Sequence, residues 1–446
     1  MKFNHSVLAL ALSVGVSGWA SAATLQEVVV DNIGQNPEVQ QALQNYAAVI
    51  QEIRQARAGY YPTLDATVGY GYEWTEKESF NGEDIELNRQ EARLNLNQMI
   101  FDGFATRSEV QRQQARAASR ASNFKDTAQR YVLASSRAYL EVQRREQLLQ
   151  LAKESLYNHV KLYDQIRRRS ESGMGTLASL QQAEGRLALA EVNMLAAENN
   201  LRDAQANYRR VVGQPVPESL DPFDSSTLML PETLEAAVEK GLANQPIAGL
   251  AQADVEAAVA QRDAAKSRMF PRLDLEIERR WDENIDGVEG DDEDLTAMLR
   301  LRYNLYNGGA DKARIRQTEH QIGEAQAIQR DAQRQIRESV ELSWNAYEIL
   351  QRQLEHLEKH VRSSEDTRNS YKKQFDIGQR SLLDLLDTEN EVFSAKNQLA
   401  EARVDSEIAK LRILTGTGEL LEALNVELPP VQETAPAAEQ VASSGQ

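Results

Sequence analysis

From Gly103 to Arg169 the chain runs for 67 residues with no proline and with no glycine after its first position. Such a run folds as one continuous helix about 100 Å long at 1.5 Å per residue. No single globular core covers a helix of that length. It needs other long helices beside it, as in coiled coils. Pro37–Gly59 and Thr176–Val212 supply two in the first half. Laid end to end they nearly match the long one. Two short helices stacked beside one long helix would make an even wall.

The second half repeats this order as Pro246–Met269, Gly308–Ile377 and Arg380–Thr415. Asn36-Pro37 matches Gln245-Pro246, and Tyr61-Pro62 matches Phe270-Pro271, both at an offset of 209. Phe101-Asp102-Gly103 matches Tyr306-Asn307-Gly308 at 205, as Gly173 and Glu184 match Gly378 and Glu389. Val212-Gly213 matches Thr415-Gly416 at 203. Anchors in one order with a slowly drifting offset mark a duplicated unit of about 200 residues, far longer than a solenoid repeat. The expected organisation is a leader at 1–22, a first repeat at 23–213 and a linker at 214–240. A second repeat at 241–416 follows, then a closing segment and disordered tail at 417–446. Pro429, Pro430 and the small and polar residues after them give the tail its composition.

Between the first and second helix of each half the period changes to two. Leu64, Ala66, Val68, Tyr70, Tyr72 and Trp74 alternate with polar residues or glycine. Ala92, Leu94 and Leu96 do the same until Gln98 breaks the pattern. Leu273, Leu275 and Ile277 alternate with acids, with Trp281 at the end, and Leu295 to Leu305 forms a fourth run. Alternation of this kind marks strands with one apolar face. A soluble sheet packed on helices needs the same pattern. Three features favour strands that cross a bilayer. The polar faces carry full charges (Glu276, Glu278, Arg300, Arg302), as a water-filled lumen would, and the lengths suit a tilted crossing. The connections 75–88 and 282–294 are acidic and read as solvated loops. Four strands cannot close, eight close on a filled interior, and twelve from three chains leave an aqueous bore. Lipid does not tolerate open strand edges, so the pattern asks for an oligomer and favours three copies.

Composition narrows the function. There are 68 Asp+Glu against 50 Lys+Arg, a formal charge of −18, and no cysteine. The acidity argues against nucleic acid. The missing cysteine excludes disulfide scaffolds, zinc ribbons, Cys nucleophiles and a lipidated N-terminal Cys. A mean hydropathy of −0.55 excludes a bundle of membrane helices. Lys2, the interrupted apolar stretch Val7–Trp19 and Ala20-Ser21-Ala22 read as a secretory leader cleaved after Ala22. No phosphate-binding glycine loop occurs, so ATP use belongs to a partner. His356 and His360 are four apart, without a third ligand or an H-E-x-x-H pattern, and read as a solvated helix face. The eight carboxylates of 282–294 lack an EF-hand pattern and read as a solvated loop rather than a Ca2+ site. The expectation is no cofactor, no metal and no enzymatic activity.

One segment combines charge and packing: Gly378-Gln379-Arg380-Ser381-Leu382-Leu383-Asp384-Leu385-Leu386-Asp387. On a helix, Arg380, Asp384, Asp387 and Glu391 share one face, and Leu382, Leu385, Leu386 and Phe393 lie opposite. By itself this is as consistent with a solvated face carrying an i,i+4 ion pair.

The leader, the duplicated unit, two strands per half and the long helices resemble the TolC family of outer-membrane channel-tunnels. The segment 378–387 resembles the family pattern G-x-R-[ST]-x-x-D-[VL]-L-D. Pro62, Pro271 and the two strand-to-helix tripeptides match as well. The resemblance covers about residues 24–418. It implies a mostly helical α+β fold with four transmembrane strands per chain, twelve in a homotrimer, and a helical barrel crossing the periplasm. It also implies a mixed equatorial region, here Gln214–Lys240 plus the segment after Gly416. Arg380, Asp384 and Asp387 would lie at the periplasmic entrance. The Asp pair would form a ring of carboxylates across three chains, and Arg380 would hold neighbouring helices together. Ser179 stands where a well-known member of the family has an Asp, and Phe375 where that member has a Tyr, so one of two closing links would be missing. The hairpin tips Gly173, Met174, Thr176, Gly378, Gln379 and Ser381 would meet a periplasmic adaptor (a membrane fusion protein), unless they serve as turns alone. An inner-membrane transporter, of the ABC or another type, would complete the line, with outer-membrane lipid around the strands. The expected function is type I secretion of a protein from a Gram-negative cell, a large adhesin being one candidate cargo. Small-molecule efflux is the alternative within the class. A structural coiled-coil stalk or adhesin is the alternative outside it, disfavoured by the duplicated strand pairs.

Overall fold

The computed structural model describes residues 22–76 and 84–430. The expected leader, Lys77, Glu78 and Glu83 of the first acidic connection, and the tail after residue 430 lie outside the described residues. The order of elements is α1 (Leu25–Ile33), α2 (Pro37–Ala58), β1 (Thr63–Glu76), β2 (Asp84–Phe101), α3 (Ala105–Glu171), α4 (Leu177–Val212), α5 (Leu234–Asn244), α6 (Pro246–Lys266), β3 (Arg272–Glu283), β4 (Asp291–Arg302), α7 (Ala310–Asp376), α8 (Leu382–Thr417) and α9 (Leu420–Ala423). The fold is mostly helical, with one antiparallel sheet in the order β1-β2-β3-β4. It carries the internal repeat read in the sequence. Each half gives a helix, two strands, a helix of 67 residues and one of 36.

The helix-starting anchors do the same physical work in both halves. Asn36 accepts hydrogen bonds from the Glu38 and Val39 amides, and Pro37 takes the first helical position, where no amide is needed. Gln245 and Pro246 start α6 in the same way. Pro62 and Pro271 follow the helices and lead into strands. At the return to helix, Asp102 Oδ2 accepts from the Thr106 amide at 2.7 Å and from its hydroxyl at 2.6 Å. Gly103 there has φ +67° and Gly308 has φ +71°. Phe101, Phe104 and Phe270 stack edge to face beside the first corner, with centroids 5.4 and 6.2 Å apart.

The chain forms two compact units, and their boundary crosses α3, α7 and α8 and cuts α1 before its last residue. One contains Ala134–Leu228 and Leu350–Ile408 with the described residues before Ile33. The other contains Ile33–Leu133, Met229–Ile349 and the chain from Ala409. Each unit therefore draws on both repeats. In the first, Ala23 pairs with Leu220, and the buried Tyr139 hydroxyl lies 2.8 Å from the Ala23 carbonyl oxygen and 2.5 Å from that of Asp221. In the second, Ala237 and Val238 of α5 pack on Val340 of α7. A Cβ at Gly241 would stand 2.8 Å from the Gly416 oxygen, so α5 approaches α8 as closely as backbones allow.

The sheet separates its side chains by chemistry. Leu64 pairs with Leu96, Leu273 with Leu301 and Leu275 with Leu299 on one face. That face is bare: Val68 is 83% exposed, Tyr70 76% and Leu299 65%. A soluble sheet of this composition would bury it. The other face is charged and cross-linked. Arg300 donates to Glu276 at 2.7 Å, and Arg302 and Arg272 both hold the fully buried Asp274 at 2.9 Å. Arg89 bridges Glu73 at 2.9 Å and Glu91 at 3.1 Å, and Arg93 joins Glu91 at 2.9 Å. Gly69 leaves the room: a Cβ there would meet the Glu91 side chain at 2.7 Å.

Three strand expectations need correction. β2 runs from Asp84 to Phe101, beyond the short apolar stretch around Ala92–Leu96, because backbone pairing with β1 continues through its polar residues. β4 ends at Arg302 instead of reaching Leu305. There Asn304 Oδ1 accepts from the Tyr306 amide, and this side-chain turn takes the backbone out of the ladder. Nearly half of the acidic stretch 282–294 is strand. Asp282 pairs with Asp292 and Glu283 with Asp291, leaving only 284–290 as the connection. Arg279 on Glu293 and Gln90 on Glu283 offset part of that repulsion.

The two repeat-related glycines give a direct test of the corner. A Cβ on Gly103 would sit 2.5 Å from the Ser267 oxygen, whereas nothing lies within 4 Å of one on Gly308. Gly308→Ala should cost about 1–2 kcal/mol for its left-handed backbone, and Gly103→Ala about 1–3 kcal/mol more for the clash. Thermal unfolding of the two purified variants in detergent checks the order, and equal losses would contradict the close approach.

Candidate channel entrance

The hairpins α3–α4 and α7–α8 are built alike. At the end of α3 the Gly173 amide donates to the Ser170 oxygen at 3.1 Å and the Met174 amide to the Arg169 oxygen at 2.9 Å. At the end of α7, Gly378 reaches Phe375 at 3.1 Å and Gln379 reaches Gln374 at 2.8 Å. Both are Schellman caps with glycine in the left-handed region, φ +75° and +78°. Each following helix is capped by a hydroxyl. Thr176 Oγ1 accepts from the Ser179 amide at 3.1 Å, and Ser381 Oγ from the Asp384 amide at 3.2 Å. The glycines and hydroxyls of both tips are thus turn and cap residues. Met174 between them is 79% exposed.

Behind the tips lies an apolar cluster of Leu162, Ile166, Ala183, Phe375, Leu382, Leu385 and Leu386, flanked by Tyr163, Leu180 and Tyr371. It draws on both hairpins. Phe375 belongs to this core, with the Arg169 guanidinium 4.6 Å over its ring. Ser179 is taken up locally, its hydroxyl 2.8 Å from that of Thr176.

Arg380 lies before α8 rather than in its first turn, which corrects the helical face read from the sequence. Its Nε donates to Gln374 Oε1 at 3.0 Å, its guanidinium lies 4.3 Å over the Tyr371 ring, and its Nη1 is 3.6 Å from Asp384 Oδ2. Arg380 thereby ties the end of α7 to the start of α8. Asp387 pairs with Arg186 of α4 at 3.0 Å, a link between the two hairpins. Asp384 and Asp387 keep exposed side chains, 39% and 58%. Sequence reasoning missed Arg186, Tyr371, Gln374 and Arg169. A signal existed for the first: at the offset of 205, Arg186 corresponds to Glu391, so one repeat carries a cation where the other carries an anion.

Farther along these helices lies a charged layer. Arg368 stands 3.8 Å from the nearly buried Glu389, which also accepts from Asn158 at 3.4 Å. Lys396 lies between Glu365 at 2.8 Å and Glu154 at 3.8 Å. A small open cleft adjoins them, lined also by Leu151, Val392 and Phe393. Paired charges within a helical interface fix its register. Among the described residues no cluster of His, Cys, Asp or Glu has the arrangement to hold a metal ion, and no helix is long and apolar enough to cross a membrane.

Bare apolar strands, a charged opposite face and paired long-helix hairpins are the parts of a membrane channel built from both strands and helices. The chain belongs to the outer membrane efflux protein family, whose model matches residues 28–214 and again 237–419. It is therefore a TolC-type outer-membrane channel and not an enzyme. The outer membrane protein TolC of Escherichia coli (strain K12) is 24% identical over 455 residues, covering 96% of this chain and 90% of that protein. The alkaline protease secretion protein AprF of Pseudomonas aeruginosa is 23% identical, covering 87% of this chain and 83% of its own length. The crystal structure of the Campylobacter jejuni CmeC outer membrane channel superimposes with a TM-score of 0.79 at 13% identity, over 99% of this chain and 97% of that one. The match to CmeC is a match of fold.

The apolar cluster explains why the tips hold together. Leu385→Ala should open a cavity in it and cost about 2–5 kcal/mol locally. Limited proteolysis should then cut faster at 172–176 and 377–381 while the sheet stays intact. Unchanged cleavage would show that the cluster does not hold the tips.

Proposed function

We propose that three copies of this chain form the outer-membrane duct of a type I secretion line that exports a protein. The observation that carries the reading is the sheet. Its apolar face has no cover, its other face is charged, and β1 and β4 each have one unpaired edge within the chain. Hydrocarbon cannot satisfy such edges, and a barrel of twelve strands removes them and leaves a bore. A leader at 1–22, cleaved after Ala22, would deliver the chain across the inner membrane. The tips at Gly173, Met174, Thr176, Gly378, Gln379 and Ser381 would dock on a periplasmic adaptor that joins the duct to an inner-membrane ABC transporter. Protein export is favoured by the secretion role in the name of AprF. The family description points the other way, to efflux, which is the second reading. Deleting the gene separates them. Loss of one large protein from the cell surface or medium, with unchanged sensitivity to toxic small molecules, supports secretion. Raised sensitivity with an unchanged set of exported proteins overturns it.

The entrance would be gated by Arg380, with Asp384 and Asp387 as the acidic ring and Arg186 as a second link. Ser179 and Phe375 would contribute no charged link. Removing Arg380 frees the end of α7 from α8, so Arg380→Ala should raise single-channel conductance in planar bilayers severalfold, and unchanged conductance would count against the gate. The combined Asp384→Asn and Asp387→Asn variant should lose most of its block by multivalent cations, because the ring attracts them by charge. Equal block would take the ring out of the entrance.

A further inference from the structure

The connection between β3 and β4 does not stand clear of the sheet. The amide of Gly287 donates to Glu73 Oε1 at 2.9 Å. Glu73 lies on β1, two strands away from β3. On the way, Asn284 Nδ2 donates to the Asn88 carbonyl of β2 at 3.2 Å. The segment therefore crosses β2, a span of about 10 Å at the spacing of paired strands. It has its own internal bracing. The Asn284 amide donates to the Gly290 oxygen at 2.9 Å, and the Gly290 amide to Asn284 Oδ1 at 3.0 Å. Asn284, Asp286, Gly287 and Gly290 all have positive φ, the backbone of a tight, folded-over turn.

The face it covers is the charged one. Glu73 alternates with Tyr72 and Trp74 and shares its side of the sheet with Asp65, Thr67 and Gly69. Burial follows the crossing. Glu73, Thr75, Leu87 and Arg89 are half-buried on this face, while Tyr72, Trp74, Glu86 and Asn88 on the other face are exposed. Lower on the charged face, Thr63, Asp65 and Thr67 are exposed again. Gly287 itself is buried. The sequence changes at the same level. Ile85 and Leu87 pair with Thr75 and Glu73, so two apolar residues occupy positions that are polar elsewhere on this face. A wall open to water gains nothing from them, whereas a wall beneath a covering segment does.

We propose that 284–290 is a strap folded into the mouth of the barrel, latched to the wall by Glu73, and that it limits the size of what passes the outer end. This rests on the charged face lining a water-filled lumen, as in the proposed function. Three copies would bring three straps to one mouth, a constriction separate from the helical entrance.

The cysteine-free chain allows a direct test. Thr67→Cys places one thiol on the charged face, about 20 Å along β1 from the latch. Intact cells carrying the full-length variant are treated from outside with a small maleimide and with a bulky polyethylene glycol maleimide. Removing 285–289 in the same background joins Asn284 to Gly290 as a two-residue Asn-Gly turn, which suits the flanking pair Glu283 and Asp291. The small reagent should label both proteins equally, which also reports correct folding. The bulky reagent should label the shortened protein about tenfold faster, as expected for a lifted lid. Glu73→Ala should move toward the shortened protein. Glu73→Gln, which keeps an acceptor for the Gly287 amide, should stay near the parent. Equal bulky-reagent rates with and without the strap overturn the proposal. Failure of the small reagent to label Thr67→Cys in any background removes the water-filled lumen itself, and the strap with it.

Discussion

A strand surrounded by hydrocarbon can satisfy its backbone only with another strand. The other features of the sheet follow from that requirement. β2 and β3 are paired on both sides, while β1 and β4 each present one open edge. In the closed barrel proposed above, one face would meet lipid and the other water. Leucines, valine and tyrosines fill the first. The second holds nearly balanced ion pairs, in which Arg89, Arg93, Arg300 and Arg302 are matched by Glu73, Glu91, Asp274 and Glu276. The balance has a physical reason. A charge on a thin wall backed by hydrocarbon is poorly solvated from behind, so removing either partner leaves the other in an unfavourable place. The formal charge of −18 is therefore not spread along this wall. Part of it is concentrated at the far end of the β3–β4 pair, in Asp282, Glu283 and Asp291 to Asp294, where the chain turns back.

Much of this was legible in the residues. Helix lengths followed from the absence of proline and glycine, strands from the period of two, and the duplication from anchors such as Asn36-Pro37 and Gln245-Pro246. What the sequence hid were pairings between distant residues. Asp282 and Asp292 looked like a solvated loop because carboxylates are poor strand formers. Register with β2 and β4 overrode that preference, as tertiary context does for strand propensity generally. Asp84 to Asn88 looked like a connection for the same reason. At the entrance, Arg380 was legible as a residue but not in its placement. Its i,i+4 spacing to Asp384 suggested one helix, whereas the cap at Ser381 begins the helix after it. Arg186 could not be found by local pattern, since its partner Asp387 is brought near only by the packing of one hairpin on the other, and Tyr371 meets Arg380 only because the turn after α7 folds the chain back.

The duplication also explains why the entrance is asymmetric within one chain. Both hairpins inherit the parts that a turn requires: glycine for the left-handed cap and a hydroxyl for the next helix. These are present as Gly173 with Thr176 and Gly378 with Ser381, where they close the turn and cap the next helix. Positions that no turn constrains have diverged. Ser179 corresponds by the 205 offset to Asp384, and Arg186 to Glu391. The second hairpin thus holds the carboxylates and the first supplies a cation, which reaches Asp387 at 3.0 Å. Two identical acidic hairpins side by side would repel, and two neutral ones would pack without any specific link. Splitting the charges between the copies lets one hairpin restrain the other through an ion pair that is half-exposed and therefore modest in strength. At the gated entrance proposed above, such a link would be strong enough to bias the hairpins toward one arrangement and weak enough for a docking partner to overcome.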